Sequence, residues 1–319
     1  MNGIGISLWL VVMTLGTWIG TQQLPNELPF TPRRLMPKQD PIQIDKYRIA
    51  TIAEANAEVT EEELVLGVFL NGEARAYPLN SISGPKRELL NDKLGGQSIA
   101  VTWCSLCFSA VVFDRQTSSG LIDLGIAGSL WQNNMVMYDT KTQSLWSQIR
   151  GEAMSGQLKG TRLERLASDV MTWIAWKTEH PETTVAMFSR TTEEFSRFPT
   201  LDRMSPVLAI TSGLDSRVWE HSELRGQPFI NDAWQGQPLL VVRLDDTGAA
   251  RVYSRRLDDR ELTFVYRDNS ILDEQTESTW NPRTGKATEG PLQGRQLTRL
   301  ATAVASKAKW QLFYPGAAD

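Results

Sequence analysis

Cys104 and Cys107 are the only two cysteines of the chain, and two residues separate them in the stretch AVTWCSLCFSAVVFD. A Cys-x-x-Cys pair can cycle between a dithiol and a disulfide, or bind a soft ion such as copper(I) through two thiolates. A structural zinc site usually takes four Cys or His ligands, and the only histidines are His180 and His221. A c-type haem site needs His directly after the second cysteine, where this chain has Phe108. The pair therefore indicates redox chemistry or binding of copper(I) or zinc, with a structural or incidental role as the alternative.

Met135 and Met137, in NNMVMYD, are supporting candidates because a thioether can assist two thiolates in binding copper(I). They are candidates by residue type only, since alternate residues of a strand also serve the core. The sequence contains neither the Gly-x-Ser-x-Gly pattern of a hydrolase elbow nor the His-Glu-x-x-His pattern of a metalloprotease. The cysteine pair is thus the only chemistry that residue spacing indicates.

Internal similarity predicts the elements that position the cysteines. VLGVFLNGEARAYPLNSI resembles VLAITSGLDSRVWEHSEL, LLNDKLGGQSIAVTW resembles FINDAWQGQPLLVVR, and TQSLWSQIRGEAMSGQLKGTRLERLA resembles TESTWNPRTGKATEGPLQGRQLTRLA, in the same order. These alignments predict two tandem, diverged repeats, residues 60–190 and 191–319, each a strand-rich unit closed by one helix. The expected fold is therefore α+β and β-rich, with these matched tryptophans in its core: Trp146 with Trp280, and Trp176 with Trp310.

The second repeat predicts how the cysteines are held. The segment aligned with the cysteines carries DDTG, residues 245–248, a turn signal between two strand-like runs. Cys104 and Cys107 are accordingly expected to flank the tip of a β-hairpin and to be accessible there. The closing helix of the first repeat is expected to begin after Ser168, a candidate N-cap, and to end at Pro181.

The N-terminal region predicts a membrane location. Residues 3–20 contain no charged side chain and are long enough to cross a bilayer, so residues 1–22 are interpreted as an anchor or signal, with an uncleaved anchor favoured. The proline-rich residues 23–59 are expected to form a tether. The rest of the chain is expected to be extracytoplasmic (periplasmic). With 33 Lys and Arg against 37 Asp and Glu, and no long basic cluster, nucleic acid is not an expected partner.

The first repeat resembles a known family, domain of unknown function 3179. The resemblance runs through NGEARAYPL, NDKLGGQSIAVTWCSLC, MVMYDTKTQSLWSQIRGEA and GTRLERL. It implies an exported bacterial or archaeal protein with a genuine Cys-x-x-Cys motif, and it implies no mechanism. Family members often have Tyr before the first cysteine and Pro after it, where this chain has Trp103 and Ser105. Many also have His-Glu where this chain has Arg87 and Glu88, so a metal ligand contributed by that His would be lost here.

Two classes of function remain open from the sequence. One is a membrane-anchored extracytoplasmic protein with a metal or redox site at Cys104 and Cys107. The other is a non-catalytic binding or scaffold protein that uses the repeats to contact a protein partner. The residues do not decide whether the chain is an enzyme.

Overall fold

The structure is a computed structural model that describes residues 28–84, 86–188, 205–244 and 247–317. The predicted anchor, residues 1–22, lies outside these ranges. Across the described ranges, helices are all too short or too polar to span a bilayer. Strands form most of the regular structure, so the β-rich expectation is confirmed.

The N-terminal segment, residues 28–59, is built into the fold and is not the expected tether. It contains three short strands and one helix turn, with a 3₁₀ turn at Ile44–Lys46: β1 (Arg33–Arg34), β2 (Ile42–Gln43), β3 (Arg48–Ala50) and α1 (Ile52–Ala55). Each strand pairs with a strand from later in the chain, and Tyr47 is buried. Proline breaks long strands because it lacks an N–H, but a two-residue strand fits between Pro32 and Pro37, and two more short strands follow Pro41.

The first half, residues 64–188, is a succession of hairpins closed by a helix. Its elements are β4 (Leu64–Leu70), β5 (Glu73–Pro78), β6 (Leu89–Leu94), β7 (Gln97–Cys104), β8 (Ser109–Asp114), β9 (Gln116–Thr117), β10 (Gly120–Leu121), β11 (Leu124–Trp131), β12 (Asn134–Asp139), β13 (Leu145–Ser147), β14 (Glu152–Ser155), β15 (Arg165–Leu166), β16 (Asp169–Thr172), α2 (Trp173–Glu179) and β17 (Thr184–Met187). Asn71 and Gly72 both have positive φ, as a two-residue hairpin turn requires between β4 and β5.

The second half, residues 205–317, follows a similar order. Its elements are β18 (Pro206–Ser212), β19 (Asp215–Glu220), β20 (Ile230–Trp234), β21 (Gln237–Leu244), β22 (Ala249–Ser254), β23 (Arg256–Leu257), β24 (Arg260–Glu261), β25 (Phe264–Arg267), β26 (Ser270–Asp273), β27 (Thr279–Asn281), β28 (Lys286–Glu289), β29 (Ala303–Ser306) and α3 (Lys307–Gln311). In β12 and β13, Trp146 Nε1 donates to Asp139 Oδ2 at 3.1 Å, and in β26 and β27, Trp280 Nε1 donates to Asp273 Oδ2 at 2.9 Å.

One sheet joins the two halves. Its strand order is β19-β18-β29-β8-β7-β6-β2, so β29 of the second half pairs with β8 of the first. The apolar cluster behind this sheet includes Leu66 and Val112 from the first half and Leu208 and Val304 from the second. All four tryptophans expected in the core are buried, as predicted: Trp146, Trp176, Trp280 and Trp310.

The closing helix of the first half begins later than the sequence predicts. Asp169–Thr172 forms β16, which pairs antiparallel with β4, and α2 begins at Trp173 with Thr172 as its N-cap residue. Ser168 is therefore not the cap, because strand pairing takes up the four residues that follow it. The helix ends at Glu179, before Pro181, as expected.

Candidate functional site

The two cysteines lie at the end of the β7–β8 hairpin. Cys104 is the last residue of β7 and pairs with Ser109, and Cys107 lies in the four-residue connection, where its N–H donates to the Cys104 carbonyl at 3.2 Å. Phe108 completes the turn with a φ of +48°. The second half has a matching bond in the β21–β22 connection, where the N–H of Thr247 donates to the Leu244 carbonyl at 3.0 Å. The prediction that the cysteines flank a hairpin tip is thus confirmed.

Both thiols are buried, so the expectation that they are accessible is wrong. Cys104 is 0% exposed and Cys107 is 1% exposed. The Cys107 thiol donates to the Asn133 carbonyl at 3.0 Å, and the N–H of Ser306, where β29 ends, donates to the Cys107 carbonyl at 3.3 Å. The thiols are covered because segments from distant parts of the chain pack against them, which no local turn signal could reveal.

The two thiols interact directly and differ in acidity. In the described part of the chain both are free thiols. Their mutual hydrogen bond is the main reason that the pKa of Cys104 is raised well above its usual value, and burial raises it further. The same hydrogen bond lowers the pKa of Cys107, and contacts with the Asn134 side chain and the charge of Lys309 also lower it. Cys107 is therefore the thiol that is easier to ionise, with Cys104 as the proton donor to its thiolate.

Glu88 is a third ionisable group at this turn, which the spacing of residues did not identify as part of the site. Its Oε1 accepts hydrogen bonds from the N–H of Ser105 at 3.1 Å and from the Ser105 hydroxyl at 2.5 Å. The side chain is buried, and burial raises its pKa above the usual value. An ionised Glu88 raises the pKa of both cysteines. The only sequence signal was its place in the Arg-Glu pair where relatives of the resembled family have His-Glu.

A cavity of about 250 Å³ adjoins the cysteine turn. Its wall includes Glu88, Ser105 and the exposed Leu106 on one side and Met135 on another, together with residues of the N-terminal segment and β11: Leu35, Met36, Ile126, Gly128, Ser129 and Leu130. The backbone N–H of Met135 also hydrogen bonds to Cys104. Met137 is fully buried opposite Trp146 and is not among the cavity-lining residues of the described chain. The structure therefore brings Met135, and not Met137, to the cavity beside the thiols.

Below the turn lies a fully buried polar network. The Gln148 amide accepts from the hydroxyl of Ser109 at 2.9 Å and from Asn134 at 2.9 Å, and it donates to Thr102 Oγ1 at 2.9 Å. The N–H of Ile149 donates to Asn134 Oδ1 at 3.2 Å, so the amides have partners on both of their polar atoms. A satisfied buried network of this kind fixes side-chain positions. It holds the end of the hairpin next to the cysteine turn, where Cys104 pairs with Ser109.

The histidines do not extend the site into a metal centre. Within the described ranges, groups of three or more His, Cys, Asp and Glu that could hold an ion are absent. His180 is the C-cap residue of α2 and stacks on Phe69, and the carbonyl of His221 accepts from the Arg243 guanidinium. What the site offers is two thiols, one buried carboxyl group and one thioether.

Comparisons with known proteins give one match. A family model described as "Protein of unknown function (DUF3179)" matches residues 40–317. No curated protein and no solved structure matches the chain. The matched range includes both halves of the fold, both cysteines, Glu88 and Met135.

Proposed function

The chain belongs to the DUF3179 family, and from that premise we propose that Cys104 and Cys107 form a thiol–disulfide redox pair in a membrane-anchored, extracytoplasmic protein. The single observation that carries this proposal is that the two cysteines close one hairpin turn, in which the N–H of Cys107 donates to the Cys104 carbonyl at 3.2 Å. Two residues in contact across so short a turn can form a disulfide with little backbone movement.

The difference in acidity assigns a role to each thiol. The Cys107 thiolate attacks one sulfur of a partner disulfide, which releases the first partner thiolate and leaves a mixed disulfide. Cys104, once deprotonated, attacks Cys107 and releases the second partner thiolate. The chain loses two electrons and two protons, and the partner disulfide gains them. Glu88, whose charge acts on Cys104 and whose carboxyl group is hydrogen bonded to Ser105, is the proposed acceptor of the Cys104 proton.

The cavity beside the turn supports access to the thiols. Ser105 and Leu106, the two residues between the cysteines, form part of its wall. Leu106 is 61% exposed, so the turn itself borders solvent while the thiols behind it do not. Exposure of Cys107 requires this four-residue connection to move, with loss of the hydrogen bonds that Cys107 makes with Asn133 and Ser306.

The tandem repeat is part of the same proposal, with the second half a diverged copy that lacks the cysteines. Matching contacts support it. The side chain of Asn91 accepts from the N–H of Leu124 and donates to its carbonyl, and the side chain of Asn231 does the same with Phe264. The uncharged residues 3–20 support the membrane anchor.

Equilibration of the purified full-length chain in glutathione redox buffers tests the redox proposal, with the disulfide detected by differential alkylation and mass spectrometry. We expect a reversible Cys104–Cys107 disulfide with a single midpoint potential. The Cys104→Ala variant should instead accumulate a mixed disulfide at Cys107, and Cys107→Ala should not accumulate one at Cys104. Met137→Leu, a buried substitution outside the cavity, is the matched control and should behave as the parent.

Two other outcomes would replace the redox proposal. Stoichiometric copper(I) or zinc in the anaerobically purified chain, lost in the cysteine variants, would identify a metal site. If the chain purifies without bound metal and its thiols react only after unfolding, the scaffold protein with incidental cysteines would be favoured.

A further inference from the structure

A second cavity, a cleft of about 1160 Å³, lies between the two halves and shares no lining residue with the cysteine cavity. Its lining from the first half includes Phe69, Glu179 and His180. Its lining from the second half is rich in cations: Arg251, Arg283, Lys286 and Arg299. We propose that this cleft binds a small organic oxyanion, with its charged group at the cations and its apolar part on Phe69 and His180.

The floor of the cleft carries excess positive charge. Arg251 forms ion pairs with Asp169 at 2.9 Å and with Glu179 at 2.6 Å, and Arg299 reaches Asp169 at 2.6 Å. Arg283 is 3.9 Å from the second oxygen of Glu179. Three guanidinium groups thus share two carboxylates, and the exposed Lys286 adds a further cation.

The remaining charged groups of the lining do not cancel this excess. Arg75 is paired with the buried Asp92 at 2.6 Å. Glu73, Glu182 and Lys286 are all exposed, so water and salt screen these three charges alike, and the excess rests on the three guanidinium groups that share Asp169 and Glu179. An anion bound at Arg283 and Arg299 therefore meets guanidinium charge that the two carboxylates do not fully neutralise.

Packing of the fold does not require this ion cluster. The proposed repeat aligns β22 with β8. Arg251 is the third residue of β22, and the corresponding third residue of β8 is Val111. The same repeat aligns β16 with β29. Asp169 is the first residue of β16, and the corresponding first residue of β29 is Ala303. Val111 and Ala303 belong to one apolar cluster, so the same arrangement of strands is also built without charges. Buried ion pairs are often no more stabilising than apolar residues of similar size, so stability alone does not account for Arg251 and Asp169.

Two polar atoms of the cleft lack a hydrogen-bond partner. Among the residues that the structure describes, Arg299 Nε and Glu179 Oε2 are buried without a hydrogen bond. A buried donor without an acceptor is unfavourable, and an oxyanion bound beside Arg299 would satisfy that donor. Guanidinium groups suit carboxylates and phosphates because they can donate two parallel hydrogen bonds.

An aromatic surface borders the charged floor. Phe69 is 51% exposed and stacks on His180, with ring centroids 5.1 Å apart and planes 23° apart. His180 also packs on the buried Trp176, which holds the imidazole in place. A ligand that joins an oxyanion to an apolar group would use both parts of the cleft.

Titration calorimetry of the full-length chain tests this assignment with three probes of similar size. 3-Phenylpropionate and phenyl phosphate carry the two kinds of oxyanion, and 3-phenylpropanol is their uncharged counterpart. We expect at least one of the oxyanions to bind and the alcohol to bind at least about tenfold more weakly, as the loss of a charge-assisted hydrogen bond predicts. Preference between the two anions identifies a carboxylate or a phosphate ligand.

Variants distinguish binding of the probe in the cleft from its attraction to charge elsewhere on the surface. Arg283→Gln combined with Lys286→Gln should weaken the bound probe at least about tenfold, since it removes two charged donors. Arg267→Gln, an exposed arginine paired with Glu277 outside the cleft, is the matched control and should leave affinity unchanged. Circular dichroism of each variant checks that it is folded.

Absence of binding by all three probes would overturn the proposal, and so would equal binding of the alcohol or undiminished binding by the folded double variant. None of these readouts uses the cysteines, so this proposal and the redox proposal can fail separately.

Discussion

At the residue scale, the chemistry of the cysteine turn depends on buried ionisable groups. Cys104, Cys107 and Glu88 are all withdrawn from water, where a charge is unfavourable unless a hydrogen bond offsets its desolvation. Cys107 has such a donor in Cys104, and Glu88 has two in Ser105. For Glu88 burial outweighs these donors, and its pKa is raised.

Glu88→Gln should make stability less dependent on pH. The folded-state pKa of Glu88 is raised above the unfolded value, so the carboxyl group favours folding when protonated, and this contribution is lost as pH rises above about 4.5. Glutamine keeps an acceptor for Ser105 and does not titrate. The difference in free energy of unfolding, variant minus parent, should therefore increase between about pH 4 and about pH 8.

Urea unfolding at both pH values measures this difference. Glu62→Gln, which changes an exposed carboxylate, is the control and should show a much smaller change. A difference for Glu88→Gln that is constant, or that decreases with pH, would contradict the assignment of a burial-raised pKa.

At the element scale, helix α2 is positioned by close contact with strand β4. A Cβ added to Gly67, in the middle of β4, would lie 2.2 Å from the ring of Trp176 in α2. The indole is fixed because Trp176 Nε1 donates to Thr183 Oγ1 at 2.9 Å, so it cannot move aside freely. Gly67 is thus required by packing between β4 and α2 and not by an unusual backbone angle.

Gly67→Ala should destabilise the chain by about 1–3 kcal/mol, the usual cost of overpacking a tight core. Thermal or urea unfolding measures the loss. The control is Gly316→Ala, whose new Cβ would meet nothing within 4 Å and should change stability by less than about 0.5 kcal/mol. A Gly67→Ala variant as stable as this control would show that α2 is free to shift away from β4.

At the scale of the whole molecule, the two halves form one folding unit. β29 pairs with both β18 and β8, and it thereby joins a second-half hairpin to the first-half hairpin that carries the cysteines. Residues 28–59 contribute strands to three sheets, so the N-terminal segment also depends on elements from later in the chain.

We expect the full-length chain to unfold in a single cooperative transition, because each apolar cluster contains residues of both halves. An excised fragment of residues 28–190 should lack a cooperative transition, since it leaves the apolar surface of β8 uncovered. Differential scanning calorimetry of both proteins makes the comparison. Two separate transitions in the full chain, or a cooperative transition in the fragment, would contradict a single folding unit.

The sequence by itself determined the local features. Alternating apolar residues and Asn-Gly or Asp-rich turns predicted the β-rich fold and the hairpin at Cys104 and Cys107, because strand alternation and turn conformation are encoded over a few neighbouring residues. The tryptophans Trp146 and Trp280 were correctly expected in the core. The repeat remains a proposal.

Only the tertiary structure decided which groups meet. Burial of Cys107 depends on its contacts with Asn133 and Ser306. The contact between Ser105 and Glu88 depends on the pairing of β6 with β7. The strands of residues 28–59 form because partner strands are available elsewhere in the fold, and the cation-rich cleft forms where Arg251 meets Asp169. These features come from long-range packing, in which the environment of a residue is set by neighbours distant in the chain, and local sequence patterns do not encode it.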